Sequence, residues 1–335
     1  MTHILFFGEP LIRISPQDFN HFSNACPSKL FYGGSEVNIA RSLQGFGLNT
    51  KLVTALPDTR LGDSFIQFLY ENHINCDHIQ RKGERIGLYF LENAFGPRQG
   101  EVIYDRSNSS LHDFNPEQLD FSHIFKDVSL FHFSGITLSL GQSIQEIILI
   151  FLKEAKKRGI TISFDLNFRS HLISPKKAKE LFSQFAGFAD ICFGIEPLMI
   201  DSQDYDFFKR EEADDEAIKN RMLSLIETFH LKAIYHTSRG QDQLGRNSYQ
   251  AYLATETKDF SISKQVTSPI LERVGSGDAF VAGAIYQMMA KSDPKSILDF
   301  AVANAILKCT LEGDNMFESP EQVEKILNHT NDIIR

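Results

Sequence analysis

Val274-Gly275-Ser276-Gly277-Asp278-Ala279-Phe280 decides how the rest of this chain is read. Small residues let backbone N–H groups close around an anion. The apolar run Ala279, Phe280, Val281, Ala282, Ala284 and Ile285 predicts a helix whose positive N-terminal end sits at that cradle. Asp278 falls in the first turn, where a carboxylate can accept a hydroxyl proton. An anion cradle beside a base is the pairing that phosphoryl transfer to an alcohol requires. Taken alone, the stretch is equally a turn that caps a core helix, with an acid in its first turn.

A second glycine signature, Tyr32-Gly33-Gly34-Ser35-Glu36-Val37-Asn38-Ile39-Ala40, stands near the other end. It predicts a loop and then an amphipathic helix, with Ser35 as the cap, Val37, Ala40 and Leu43 on the apolar face, and Gly45 and Gly47 ending it. Adjacent glycines allow a ligand close to the backbone, and Asn38 offers an amide to hydroxyls. A tight turn with a buried asparagine would read the same way.

Outward from these motifs, short apolar runs alternate with helical periods, the pattern of a parallel sheet covered on both faces. Ile4–Phe7, Leu52–Ala55, Ser129–Phe133, Ile160–Phe164, Ile191–Phe193 and Ala233–Thr237 read as buried strands, and Ile144–Arg158 and Ala213–His230 as helices between them. Leu11–Tyr32 and Ile86–Asn108 break the rhythm with strands exposed on one side. The acidic Asp201–Asn220 segment reads as a solvated loop and helix start, without function.

A chain of 335 residues, 42% of them hydrophobic, suffices for one large α/β core. Its 34 basic and 43 acidic residues leave a net charge of −9, which disfavours nonspecific nucleic-acid or membrane surfaces. Cys26, Cys76, Cys192 and Cys309 have no metal spacing and are expected as reduced thiols. The opening apolar run is too brief for a signal peptide and no run spans a bilayer, so a cytoplasmic protein is expected. His132, inside a strand pattern, reads as a core histidine. With 29 Phe and no Trp, the composition suggests a phenylalanine-rich core, not a base-stacking surface.

Together the two glycine signatures resemble the paired motifs of the ribokinase-like, or PfkB, family of carbohydrate kinases, in order and separation. The resemblance spans nearly the whole chain. Gly87-Leu88-Tyr89-Phe90-Leu91-Glu92, Gly96-Pro97-Arg98, Val102 to Ser109, Phe164-Asp165-Leu166-Asn167-Phe168-Arg169 and Gly313-Asp314-Asn315 look like the branch that phosphorylates 2-keto-3-deoxygluconate. The resemblance implies one ribokinase-like domain over 1–335: a three-layer α/β sandwich with a mainly parallel central sheet. Lid strands inserted from about 11–32 and 86–108 would close a small β-sheet over the sugar and pair with a second subunit's lid. It also implies ATP-dependent transfer to O6, with Mg2+ carried by the nucleotide phosphates and largely by water.

A sugar acid differs from a neutral sugar by a carboxylate, which a guanidinium recognises through paired charge-assisted hydrogen bonds. Arg106 follows Tyr104 at strand spacing, so the two share a face, and Arg169 follows a strand end at Asp165. The resemblance makes Gly34, Tyr89, Tyr104, Arg106 and Arg169 substrate contacts, with Gly33 and Asn38 close by. Asp314 matches a substrate-side aspartate, although Gly-Asp-Asn is also an ordinary turn. Asp278 would take the O6 proton while N–H groups of Gly275, Ser276 and Gly277 stabilise the transferring phosphoryl group. On the nucleotide side, Ser238-Arg239-Gly240-Gln241-Asp242 stands where the family has a glycine-rich loop. Arg239 there supplies charge to phosphates, or the segment is a plain hairpin whose far strand includes Tyr249–Tyr252. Asn304, on a helix over Ala301–Lys308, is placed on the adenine side, although a helix-face amide on the surface would look the same. Gly194-Ile195-Glu196-Pro197 lacks the asparagine of the family's Asn-x-x-Glu element, through which related kinases organise magnesium; Glu196 would retain the acidic part, but no direct metal ligand is assigned. The competing readings are a fructokinase or nucleoside kinase, which would leave Arg106 and Arg169 without an anion, and a non-catalytic sugar-acid sensor. A dinucleotide-dependent oxidoreductase lacks its G-x-G-x-x-G.

Overall fold

The computed structural model of the chain describes residues 2–96, 98–241 and 246–328. Pro97 and Asp242 of the motifs above lie outside the described residues. Strand β1 (His3–Phe7) shows how this sequence makes a sheet. Successive side chains point to opposite faces, so Ile4 and Phe6 enter one buried core while Leu5 and Phe7 enter another. A strand apolar on both faces must be covered on both, which is the parallel-sheet condition.

In chain order, β2 (Leu11–Pro16), β3 (Ser28–Gly33), α1 (Ser35–Gly45), β4 (Asn49–Leu56), α2 (Arg60–Glu71) and β5 (Asn75–Arg81) follow. Next come β6 (Gly87–Glu92), β7 (Glu101–Asp105), α3 (Phe121–Ile124), β8 (Val128–Ser134), α4 (Gly135–Leu138), α5 (Gln142–Lys157) and β9 (Thr161–Asp165). The chain continues through α6 (Pro175–Ala186), β10 (Ile191–Phe193), α7 (Asp215–Phe229), β11 (Ala233–Gln241) and β12 (Asn247–Thr255). It ends with β13 (Phe260–Ile262), β14 (Val266–Ser268), α8 (Ser276–Met289), α9 (Pro294–Lys308) and α10 (Pro320–Leu327).

The large sheet runs β13-β12-β11-β10-β9-β8-β1-β4-β5, with β14 pairing β12. From β11 to β5 every pairing is parallel, and β12 turns back antiparallel on β11. Helices α1, α2, α8, α9 and α10 pack the core on one face, and α3, α5, α6 and α7 the core on the other. Strand order departs in opposite directions from β1, toward β4 on one side and β8 on the other. Such a switch point opens a crevice at the carboxyl ends of the strands. The buried His132 on β8 shares a 2.9 Å hydrogen bond with Ser163, and burial lowers its pKa to about 3.

Two local expectations are refined. The Ser238–Gln241 segment is a hairpin arm, with Arg239 directly opposite Tyr249 on β12. The small second sheet, β3-β2-β6-β7, is less exposed than its alternation predicts. Arg13 on β2 is completely buried, because Glu272 and Asp314 of the C-terminal third neutralise it there. The side chains of Leu30, Val102 and Ile103 of this sheet remain exposed.

Candidate active site

Two helix N-termini meet at the crevice, and each is entered through a glycine. Gly34, the N-cap of α1, has φ 120°, and a Cβ there would lie 2.3 Å from the Glu9 carbonyl oxygen. Gly275, the N-cap of α8, has φ 76°, and a Cβ there would lie 1.9 Å from the Asp314 carbonyl oxygen. Both positions exclude a side chain by conformation and by space. Since Gly34 is the cap, Ser35 does not cap α1 as its sequence context predicts. Its hydroxyl donates instead to Asp278 Oδ1 at 2.8 Å, and Asn38 Nδ2 donates to Oδ2 at 2.7 Å. Asn167 Nδ2 in turn donates to Ser35 Oγ at 3.0 Å.

Burial dominates the electrostatics. Desolvation raises Asp278 from 3.8 to about 6, opposed by the hydrogen bonds from Asn38 and Ser35 and by the charge of Arg169. Asp165, at the end of β9, is raised to about 8 by burial and then by the Asp278 charge. Glu36, one residue after Ser35, is raised to about 7 by burial, although Ser134 and Thr137 hydroxyls donate to its Oε1 at 2.6 and 2.7 Å. Ser134 is therefore a buried support for Glu36, while Ile136, two residues on, lines the cavity described next.

A cavity of about 1050 Å3 opens over these groups. Gly34, Ser35, Asn38, Tyr89, Tyr104, Arg106, Arg169, Ser238, Arg239 and the whole Gly275–Asp278 turn line it. Gly33, Gly240, Asp314 and Asn304 do not. Asn304 is fully buried, donating to the Ala279 carbonyl at 2.7 Å, so it holds α9 against α8 and cannot face adenine. Asp314 is buried behind the wall, where it pairs with Arg13 at 2.8 Å and accepts the Tyr89 hydroxyl at 2.7 Å. It fixes a cavity residue without lining the cavity. The Ser276 N–H is already held by the Arg273 carbonyl at 3.2 Å, whereas those of Gly275 and Gly277 have no acceptor among the described residues.

The two arginines differ in kind. Arg106 is buried and paired with Glu9, which also accepts from Ser109, yet its Nε is buried without an acceptor. Arg169 is exposed at the cavity and, among the described residues, holds only the Phe168 carbonyl, at 3.5 Å. Arg239 donates to the Tyr249 hydroxyl at 3.2 Å with its guanidinium 5.0 Å above that ring, so it serves the hairpin while lining the cavity.

Glu196 is committed elsewhere. Lys179 and Arg221 hold it at 3.1 and 2.9 Å, and both also reach Asp204. No group of three or more His, Cys, Asp or Glu able to hold a metal ion stands together among the described residues. The residues present do not form a protein cage for Mg2+.

Sequence reasoning overlooked Glu9, Arg13 and Glu36, whose partners are distant in the chain. Arg13 carried one usable signal, a charge flanked by Ile12 and Ile14 within an apolar strand. The 207–213 segment, read as solvated, lines the cavity through Phe207, Phe208, Lys209 and Arg210.

A model of the pfkB family carbohydrate kinases matches residues 1–197. The chain is 28% identical over 331 residues to the 2-dehydro-3-deoxygalactonokinase of Haloferax volcanii, covering 97% of this chain and 96% of that one. It is 24% identical to the 2-dehydro-3-deoxygluconokinase of Thermoproteus tenax, over 98% and 94% of the two chains. The crystal structure of the 2-dehydro-3-deoxygluconokinase of Thermotoga maritima superposes with a TM-score of 0.89 at 30% identity, over 98% of this chain and 100% of that one.

Proposed function

This chain belongs to the PfkB family of carbohydrate kinases, and from that premise we propose that it transfers the γ-phosphoryl group of ATP to O6 of 2-keto-3-deoxy-D-gluconate. The observation that carries the reading is one cavity lined both by a clamped, buried Asp278 and by two guanidinium groups, Arg106 and Arg169, of which Arg106 is paired with Glu9 and Arg169 has no acidic partner among the described residues. A neutral sugar gives Arg169 no anion. The names of the three relatives above, each a keto-deoxy sugar-acid kinase, support the same substrate class.

Asp278 carries one donor on each oxygen and so keeps lone pairs for an entering hydroxyl. In the reaction the O6–phosphorus bond forms while the bond from γ-phosphorus to the bridging oxygen breaks. ADP leaves with that electron pair, and the O6 proton passes to Asp278. The uncommitted N–H groups of Gly275 and Gly277, at the positive end of α8, stabilise charge on the transferring oxygens. The substrate carboxylate lies against Arg106 and Arg169 beneath Tyr89 and Tyr104, while Ser238 and Arg239 serve the nucleotide phosphates. Mg2+ would enter as the nucleotide's own ion, and no step assigned to a residue here runs through it. The exposed Leu30, Val102 and Ile103 support lid-to-lid pairing of two subunits.

A coupled assay of ADP release against 2-keto-3-deoxygluconate, its galactonate epimer, fructose and nucleosides tests the reading. The keto-deoxy acids are expected to turn over fastest, the gluconate ahead of its epimer. Faster turnover on fructose or a nucleoside would overturn the substrate class, and faster turnover on the epimer would overturn the specific substrate.

A further inference from the structure

The hydrogen-bond chain behind Asp278 has a direction fixed by chemistry. An amide nitrogen can only donate, so Asn167 Nδ2, 3.0 Å from Ser35 Oγ, occupies a lone pair of that hydroxyl. The single Ser35 proton is then left to Asp278 Oδ1, 2.8 Å away. Three elements distant in sequence build this relay: the turn after β9, the first turn of α1 and the first turn of α8. Asn167 itself sits at φ 34°, a left-handed conformation in which asparagine is among the tolerated residues, and its backbone N–H is tied to Asp165 Oδ1 at 3.1 Å. Asn38 secures the other oxygen of Asp278 independently, at 2.7 Å.

We propose that Ser35 and Asn167 are positioning residues for phosphoryl transfer, forming a one-way relay, Asn167 to Ser35 to Asp278, that orients the catalytic carboxylate and keeps it ionised. The assignment rests on the reading of Asp278 as the base. Without the relay, Oδ1 loses a buried donor, and the protonated form of Asp278 gains population. The charged groups acting on Asp278 come from several elements. Arg169 favours its ionised form and Asp314 opposes it. Glu36 on α1, Asp165 on β9 and Lys308 on α9 each feel the Asp278 charge. None of these is altered by removing the Ser35 hydroxyl, so a change on its removal belongs to the relay.

The test is the pH dependence of steady-state ADP release for wild type, Ser35→Ala, Ser35→Thr, Asn167→Gly and Asp278→Asn, with circular dichroism to establish folding. Ser35→Ala is expected to lower kcat about tenfold at neutral pH, to change KM less than about twofold, and to move the acid limb of kcat/KM about one pH unit upward. Ser35→Thr, which keeps the hydroxyl, should restore the wild-type limb. Asn167→Gly tolerates the positive φ and frees the hydroxyl to rotate; it should move the limb in the same direction by a smaller amount. An acid limb for Ser35→Ala that coincides with wild type overturns the relay, as does a Ser35→Thr variant no better than Ser35→Ala. If Ser35→Ala does not fold, Asn167→Gly decides, and an unmoved limb there overturns the relay. Asp278→Asn separates the two claims: an active Asp278→Asn enzyme removes the base reading itself, whereas an inactive one beside an unmoved Ser35→Ala limb removes only the relay.

Discussion

Replacing Asp278 by asparagine should abolish turnover and at the same time stabilise the ligand-free protein at alkaline pH. The folded carboxyl titrates near 6 against an ordinary 3.8, so the fold retains its proton where the unfolded chain has released it. Stability from this group is therefore whole below pH 3.8 and is lost as pH rises through 6. At about 1.4 kcal/mol per pH unit, the step from 3.8 to about 6 costs the fold on the order of 3 kcal/mol at pH 8. An asparagine has no such cost, and the site can accommodate it. Its oxygen accepts from Ser35, and its amide can donate to Asn38 Oδ1, which is buried without a partner, once Asn38 turns over. The hydrogen bonds from Ser35 and Asn38 already lower the carboxyl to about 6, so nothing further is subtracted and the gain at pH 8 is on the order of 3 kcal/mol. With an unfolding entropy of about 2.1 cal/mol/K per residue over 335 residues, Tm at pH 8 should rise by about 4 °C, and by nothing below pH 4. Turnover in the coupled ADP assay should fall by about 10²–10⁴. A variant within a few-fold of wild-type kcat, or one melting below wild type at pH 8, would refute the reasoning.

Glu196→Gln should leave the Mg2+ concentration dependence of activity unchanged while lowering urea stability by about 2–4 kcal/mol, because Lys179 and Arg221 lose a buried counter-charge; a higher Mg2+ requirement without a stability loss would return Glu196 to the metal. Arg13→Met leaves Glu272 and Asp314 buried without their shared cation and should cost about 3–5 kcal/mol in urea unfolding. Tyr89→Phe, which removes only the hydroxyl given to Asp314, should cost about 1 kcal/mol on the same measurement. Arg169→Ala should raise KM for the sugar acid at least tenfold with an unchanged melt, whereas Arg106→Ala should raise KM and also lower stability by about 3–5 kcal/mol, since it strands Glu9. Equal melts for the two arginine variants would contradict their different burial.

Local chemistry in the sequence was enough for much of this protein. Continuously apolar strands such as β1 demand cover on both faces, and their alternation with helices therefore announced a parallel α/β sheet. Gly34 and Gly275 occupy backbone conformations closed to other residues, so the two turns that build the site were visible as glycine signatures. What the sequence could not carry was pairing between buried polar groups, since a charge or amide has no local mark of its partner. Arg13 carries no local mark of Glu272 and Asp314, which close on it only in the fold, and Asn304 read as a ligand contact until it was found holding the Ala279 carbonyl. Ser35 shows the division most clearly. The chain alone determined that a small hydroxyl residue begins α1 beside a glycine. Only the packing of α1 against α8, which brings together residues 243 positions apart, decided that the hydroxyl serves Asp278 and not its own helix, because burial makes an unsatisfied carboxylate oxygen cost more than an uncapped N–H.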